Sequence, residues 1–500
     1  MPYGVSVAFN VNSLIAKVFW FFFSKKNRLP SLPPKGCDAT RSTYMVKMLQ
    51  TPPHPPKPTR LRSQPEAFLV LRRNPLELWG APAYELPVAE GRFLGRQQMM
   101  LNAPEAIRHV LVTNAANYRR NAASRQVLGP ILGQGLFLAE GEAWRHQRRT
   151  IAAALAPRTM PMLARHVVAA CMEAEVPLGR VLHRPVELLP YLQRLALSIA
   201  GRSMFSLEMD NYGAELRSLI TEYGVNYAQP GLSDLMLPGF SLGGRVNLGL
   251  ARGRARFREK WLAFLDTLIE ARRQLPAEEG RPRDLYDLLS AARDPETGAA
   301  FDHAHLRDEI STMILAGHET TAVTLFWCCY LAALYPDQQE SLAQEARAAT
   351  LEDASALEHL PRVRAHIDEA LRLYPPAFMI VREAIASDEV ASRPVAPGTV
   401  VVISPWVLHR HRLLWPNPDA FDPTRFLPGA PPIDRFAYMP FGAGPRICVG
   451  ASFALTEAVL VLARLLARFR LRLCGDGAVL PRGMVTTQPD RVVRFELSSR

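Results

Sequence analysis

Lysine is scarce along most of this chain. Of seven lysines in 500 residues, six lie at or before Lys57 and only Lys260 lies beyond, where arginine carries the positive charge. Cysteine is sparse as well. The six (Cys37, Cys171, Cys328, Cys329, Cys448, Cys474) lack the paired spacing of a disulfide framework or a zinc knuckle, so free thiols in a reducing, cytoplasmic setting are expected. No dinucleotide fingerprint, internal repeat or low-complexity linker is present. Long apolar runs are missing too: the nearest, residues 5–23, is broken by Asn10, Asn12 and Lys17, whereas a membrane span needs about 20 predominantly apolar residues. The net charge of +12 is misleading, because residues 1–73 hold 12 Lys+Arg against 2 Asp+Glu, a net of +10. The remaining 427 residues carry only +2, which excludes the electrostatic footprint of a nucleic-acid binder.

What is present divides at the tail. Residues 1–73 join an apolar stretch, 13–23, to Lys25, Lys26 and Arg28, then to the proline clusters Pro33-Pro34 and Pro52-Pro56. This segment is expected to be an extension outside the fold, with Met45 or Met48 as an alternative start. A cytosol-facing membrane anchor and a targeting peptide stay open beside it. Residues 74–500 read as one continuous domain, dominated by helical periodicity. Short strands are expected at 92–101, 399–404 and 492–497. A long helix is expected at 303–334, interrupted only by Gly317 and stopped by Pro336, about 48 Å long. Its second half is apolar on nearly all faces, the mark of a buried helix. Another helix is expected at 451–469.

The strongest chemical signal is Phe441-Gly442-Ala443-Gly444-Pro445-Arg446-Ile447-Cys448-Val449-Gly450. A thiolate acting as an axial iron ligand needs its charge stabilised without protonation, and a cysteine just before a helix meets that helix's N-terminal dipole. Glycines at 442, 444 and 450 are expected to let the backbone approach the sulfur closely. Phe441 can shield the sulfur from water, and Arg446 offers a cation to a haem propionate. The competing reading of any single cysteine is a small buried hydrophobe.

With this signature complete, the chain resembles the cytochrome P450 family, the haem-thiolate monooxygenases, over roughly residues 74–498. Further motifs follow the family's pattern. Within the long helix, Ala316-Gly317-His318-Glu319-Thr320-Thr321 places an acid–alcohol pair that the resemblance implies delivers protons to O2. The alternative is a threonine back-bonded to its own helix. His318 fills a variable slot. Glu369 and Arg372, at i and i+3, lie on one helix face, and with Arg425 of Phe421-Asp422-Pro423-Thr424-Arg425-Phe426 resemble the family's structural network, although Thr424 replaces the usual glutamate. Trp144 and Arg148, one turn apart, and Arg382 resemble propionate-binding residues. In His409-Arg410-His411-Arg412 an arginine stands where proline is usual, and no ligand role is assigned there.

The resemblance implies a mainly α fold, the cytochrome P450 helical prism with a minor β region. It implies haem b (iron protoporphyrin IX) ligated by Cys448. The implied reaction is hydroxylation or epoxidation of a small apolar substrate with O2 and electrons from a separate ferredoxin or reductase. A monomer is expected. A peroxygenase or isomerase of the same fold would dispense with O2-derived protons and lack the pair Glu319-Thr320, and a passive haem carrier would need only the ligand loop. Expected substrate walls are Leu315, Ala316, Ala377, Phe378, Met379, Ile380 and the turn with Thr486, apolar enough to suggest a lipid-like or terpenoid molecule.

Overall fold

Apolar residues recurring mostly at helical spacing build, in the computed structural model, a helical body with small sheets at its margins. The structure describes residues 51–59, 66, 70, 73–93, 96–120, 122–209, 211–227, 248–276, 282–475 and 477–500. The longer helices are α1 Ala122–Leu132, α2 Gly141–Ala154, α3 Met160–Gly179, α4 Leu188–Phe205, α5 Gly213–Asn226, α6 Leu248–Arg273, α7 Leu285–Ala291, α8 His303–Leu334, α9 Pro336–Ala348, α10 Pro361–Leu373 and α11 Ala451–Arg468.

Helix α8 crosses the body and has the bounds its sequence suggests. Asp302 caps its start, accepting from the His305 N–H at 2.7 Å. Tyr335, ahead of Pro336, closes it because the proline ring disfavours helical geometry in the preceding residue. The expected interruption at Gly317 is not there. One glycine costs about 1 kcal/mol in a helix interior, too little to break 32 residues packed on α4 and α11. Leu325, Leu462 and Leu466 are fully buried in this packing, each contributing about 1.5–3 kcal/mol over exposure. Trp327 stacks on Tyr374 of the α10 end, ring centroids 4.0 Å apart. The core thus fixes α8 against α11, the two helices that carry the chemical motifs.

The largest sheet has the order β1-β2-β8-β5-β3, from Val88–Phe93, Arg96–Leu101, Val400–Ile403, Ile380–Ala384 and Tyr118–Arg119. β8 is buried at every position, as expected where both faces are covered. The single strand expected at 92–101 is two antiparallel strands pairing Phe93 with Arg96; residues 94–95 lie outside the described residues. The C-terminal strand β12, Arg494–Ser499, sits between β4, Pro185–Glu187, and β9, Phe469–Cys474. Two ribbons complete the set: β6 Asp388–Val390 with β7 Arg393–Val395, and β10 Pro481–Gly483 with β11 Thr487–Pro489.

The boundary expected after residue 73 needs correction. Residues 51–59 lie on the body: Tyr374 Oη donates to the Pro53 carbonyl at 3.1 Å, and the Ala81 N–H to that of Pro58 at 2.9 Å. Lys57 Nζ pairs with Asp419 at 2.6 Å and stands over the Tyr84 ring. Extended, proline-rich chain has no periodicity to betray such docking, because its contacts are made by backbone carbonyls and one lysine. The apolar stretch and the anchor alternative fall on residues 1–50, outside the described residues. Among the described residues no helix is long and apolar enough to cross a membrane.

Candidate active site

The loop before α11 is a closed turn. The Cys448 N–H donates to the Phe441 carbonyl at 2.9 Å, and the Ile447 N–H to that of Gly444 at 3.0 Å. Gly442 and Gly444 have φ of +74° and +75°, a region side chains avoid. The glycines serve the turn more than the sulfur. A Cβ on Gly444 would lie 2.0 Å from the Leu111 carbonyl oxygen, whereas one on Gly450 would merely touch Cys448 Sγ at 4.0 Å. Burial within the protein pushes the Cys448 thiol up, with the Gly450 N–H and Arg148 opposing that shift. As a metal ligand the sulfur would have to be deprotonated.

Cys448 opens on a cavity of about 540 Å³. Its far wall is α8, where Ala316, Gly317, Thr320, Thr321 and Thr324 face the space. Ala316 and Gly317 lie mid-helix in the core and are nonetheless exposed, because the cavity begins at their surface. Trp144, Arg148, Arg382, Phe441 and Arg446 all line this cavity. Arg446 stands over the Trp144 ring, 4.5 Å from its centroid, and pairs with Glu140. Arg148 donates to the Ile447 carbonyl at 2.8 Å.

Sequence reasoning missed Arg120, which lines the same cavity and lies over the Phe137 ring. Burial, then the charges of Arg382 and Arg446, bring Arg120 down to about 9; burial and Arg446 bring Arg382 down to about 10. The Arg120 Nε is buried without a hydrogen-bond partner among the described residues. Buried cations depressed by one another mark a place lacking anions. Four guanidinium groups at this rim meet one paired carboxylate, Glu140. The two propionates of haem would offset most of that excess, so these residues fit the cofactor. No spacing rule connects Arg120 to the cysteine loop; only the fold brings it near.

The acid–alcohol pair is split by the helix. Thr320 Oγ1 faces the cavity and donates to the Ala316 carbonyl at 2.8 Å, the back-bonded alternative. With its proton committed, the oxygen offers the cavity an acceptor, the reverse of the expected donor. Glu319 is buried and lies off the cavity wall, accepting from Gln193 at 3.1 Å and from Gln488. His318 Nδ1 bonds the Ile314 carbonyl at 2.9 Å. Another buried acid, Glu457 of α11, does reach the cavity; burial pushes it up to about 8, with Thr321 opposing as a hydrogen-bond partner.

Of the expected substrate walls, Ala316, Ala377, Met379 and Ile380 line the cavity; Leu315, Phe378 and Thr486 do not. Leu315 points from α8 into a separate core cluster. Phe378 is turned into the core while its carbonyl accepts from Ser404 Oγ and the Trp406 N–H. Thr486 is buried beside β11.

The structural network closes as the spacing suggests. Arg372 donates to both Glu369 oxygens at 2.7 Å and to the carbonyls of His409, Pro418 and Ala420. Arg425 stands 3.8 Å from Glu369. His409 adds an unforeseen link: Nδ1–H donates to the Arg372 carbonyl and Nε2 accepts from the Met439 N–H at 2.9 Å. Burial, then Arg372 and Arg410, bring it down to about 3, so it stays neutral and joins α10 to the cysteine loop.

Known proteins resemble this chain in fold and in sequence. The haem domain of cytochrome P450DA superposes with a TM-score of 0.76 over 90% of this chain and 97% of its own, at 22% identity. Cyclooctatin synthase of Streptomyces melanosporofaciens is 31% identical over 439 residues, covering 85% of this chain and 92% of its own. Cyclooctat-9-en-7-ol 5-monooxygenase of the same organism is 31% identical, over 81% of this chain and 86% of its own. The cytochrome P450 profile matches residues 86–491. With that span matched and two curated relatives aligned along most of their length, the chain belongs to the cytochrome P450 family.

Proposed function

We propose that this monooxygenase binds its haem through Cys448, with Trp144, Arg120, Arg148, Arg382 and Arg446 around the propionates, and oxygenates a carbocyclic terpenoid. As a member of its family, the chain binds haem b and is a haem-thiolate monooxygenase using O2, an organic substrate and reducing equivalents. One observation carries the assignment of residues: Cys448 Sγ and the Ala316-Gly317-Thr320 face of α8 open on one cavity, with four arginines at its rim.

When bound, the haem supplies a thiolate-ligated iron at which O2 is reduced and one oxygen atom passes to the substrate. The protein's own residues prepare that chemistry. Phe441 covers the sulfur side of the cavity, while Met313, Ala377, Met379 and Ile380 offer substrate an apolar wall. Thr320 Oγ1 holds a hydrogen-bond acceptor at the cavity surface and hands on a proton when its bond to Ala316 swings away. Glu319, one residue back, is the reserve acid on that route.

The terpenoid reading rests on the apolar wall and on the two Streptomyces relatives, one named for oxidising an unsaturated carbocyclic alcohol. A ferredoxin or a separate reductase supplies electrons, and cysteines outside any disulfide, among the described residues, suit a cytoplasmic setting. The test is incorporation of isotopic oxygen. With electrons supplied, product from a terpenoid panel should carry one atom from labelled O2. Turnover driven by peroxide, with none from O2 and electrons, would reassign the enzyme as a peroxygenase.

A further inference from the structure

The acid of the α8 motif is held from two sides by neutral amides. Gln193 of α4 donates to Glu319 Oε2 at 3.1 Å, and Gln488 of β11 donates to Oε1. Among the described residues no cation joins them. An amide N–H bonds a carboxylate without trading protons with it, so these partners hold the acid and do not feed it.

Gln488 is itself fixed in place. Its neighbour Thr487 is fully buried; its carbonyl accepts from the Trp327 indole N–H at 2.6 Å, and its Oγ1 donates to the Pro375 carbonyl at 2.6 Å. Trp327 lies on α8 about two turns beyond Glu319, so β11 is pinned to the helix whose acid it holds. A further, long contact of 3.5 Å runs from the Gln488 amide to Thr486 Oγ1.

The hold keeps a polar group off an otherwise accessible wall. Ala316, about one turn before Glu319, and Thr320, the next residue, both line the cavity, whereas Glu319 does not. Their side chains are short, so rotation about the Glu319 side-chain bonds would carry its carboxyl past them to the cavity surface. The two amides oppose that rotation.

We infer that Gln488 is a positioning residue: with Gln193 it latches Glu319 outside the cavity, and the acid meets Thr320 only when the latch opens. The inference rests on the reading of Glu319 as the reserve acid and adds how that acid is controlled. While latched, the acid leaves the wall apolar for substrate and keeps its proton away from Thr320.

The test uses the haem-loaded enzyme, reduced with dithionite and bound to carbon monoxide, without substrate or a protein electron donor. The infrared C–O stretch responds to a polar or charged group brought near the bound gas. Wild type should give one main band. Gln488→Met, similar in shape but lacking the amide, should add a second, displaced band. The share of that band should rise about tenfold or more, the scale on which one hydrogen bond to a charged group biases two conformers. Adding Glu319→Leu should remove it, an outcome that a merely structural Gln488 would not produce. Gln193→Met should give the same second band, and it carries the test if Gln488→Met fails to load haem. An unchanged single band in a variant that loads haem, or a second band that survives Glu319→Leu, overturns the latch. The acid reading is judged apart: a Glu319→Gln enzyme that consumes O2 at the wild-type rate overturns that reading, whatever the bands show.

Discussion

Gln488 donates to Glu319 from β11, so the acid of the Glu319-Thr320 pair is held away from the wall its neighbour forms. Adjacent residues on a helix project about 100° apart, and here that angle separates a buried acid from a cavity-facing alcohol. In the proposed reading the pair acts in series rather than side by side.

Replacing each member should therefore give different defects. Thr320→Ala should still load haem, bind substrate and consume electrons and O2, but release more peroxide and less oxygenated product. General acid–base contributions reach about 10²–10⁴-fold, and cavity water should limit the loss to the lower part of that range. Glu319→Gln keeps carbonyl and amide groups toward Gln193 and Gln488, and should slow O2 consumption itself. Product formed per reduced cofactor, with peroxide assayed in parallel, separates the two. Unchanged coupling in Thr320→Ala would remove its role.

Cys448→Ala should abolish the red-shifted Soret band of the reduced, CO-bound protein, which depends on a thiolate ligand. Cys171, Cys328 and Cys329 are buried, each held well up by burial, so none should substitute. A mutant that keeps the band would place the ligand elsewhere.

Removing residues 1–48 should leave haem content and melting temperature unchanged, because the described docking contacts, through Pro53, Lys57 and Pro58, lie beyond the cut. Removing residues 1–59 should cost about 1–3 kcal/mol, the scale of one lost part-buried ion pair with its hydrogen bonds. Paired thermal melts of the two truncations check the difference, and equal melts would show that the docking of Lys57 on Asp419 contributes nothing.

Arg372→Leu strands Glu369 as a buried charge and should destabilise the protein by about 3–5 kcal/mol. Arg425 stands further off, at 3.8 Å, and Arg425→Ala should cost about 1 kcal/mol. Denaturant unfolding followed by haem absorbance orders the two; the reverse order would contradict the network.

Much of this enzyme is legible residue by residue. The cysteine loop, the α8 motif, the Glu369–Arg372 spacing and the bounds of α8 and α11 are local: each depends on neighbours within a turn or two, and the chemistry of a glycine turn, a helix stop or an i, i+3 pair is written in adjacent letters. Phe378 and Leu315 mark the edge of that legibility, since periodicity places them near the cavity but not on the side that faces it. What only the tertiary structure decided is which distant groups meet. Arg120 joins Arg382 and Arg446, Gln488 takes Glu319 off the wall, and Lys57 finds Asp419. Such meetings span tens to hundreds of residues and are set by how α4, α8 and α11 pack, a three-dimensional constraint with no periodic trace in the chain.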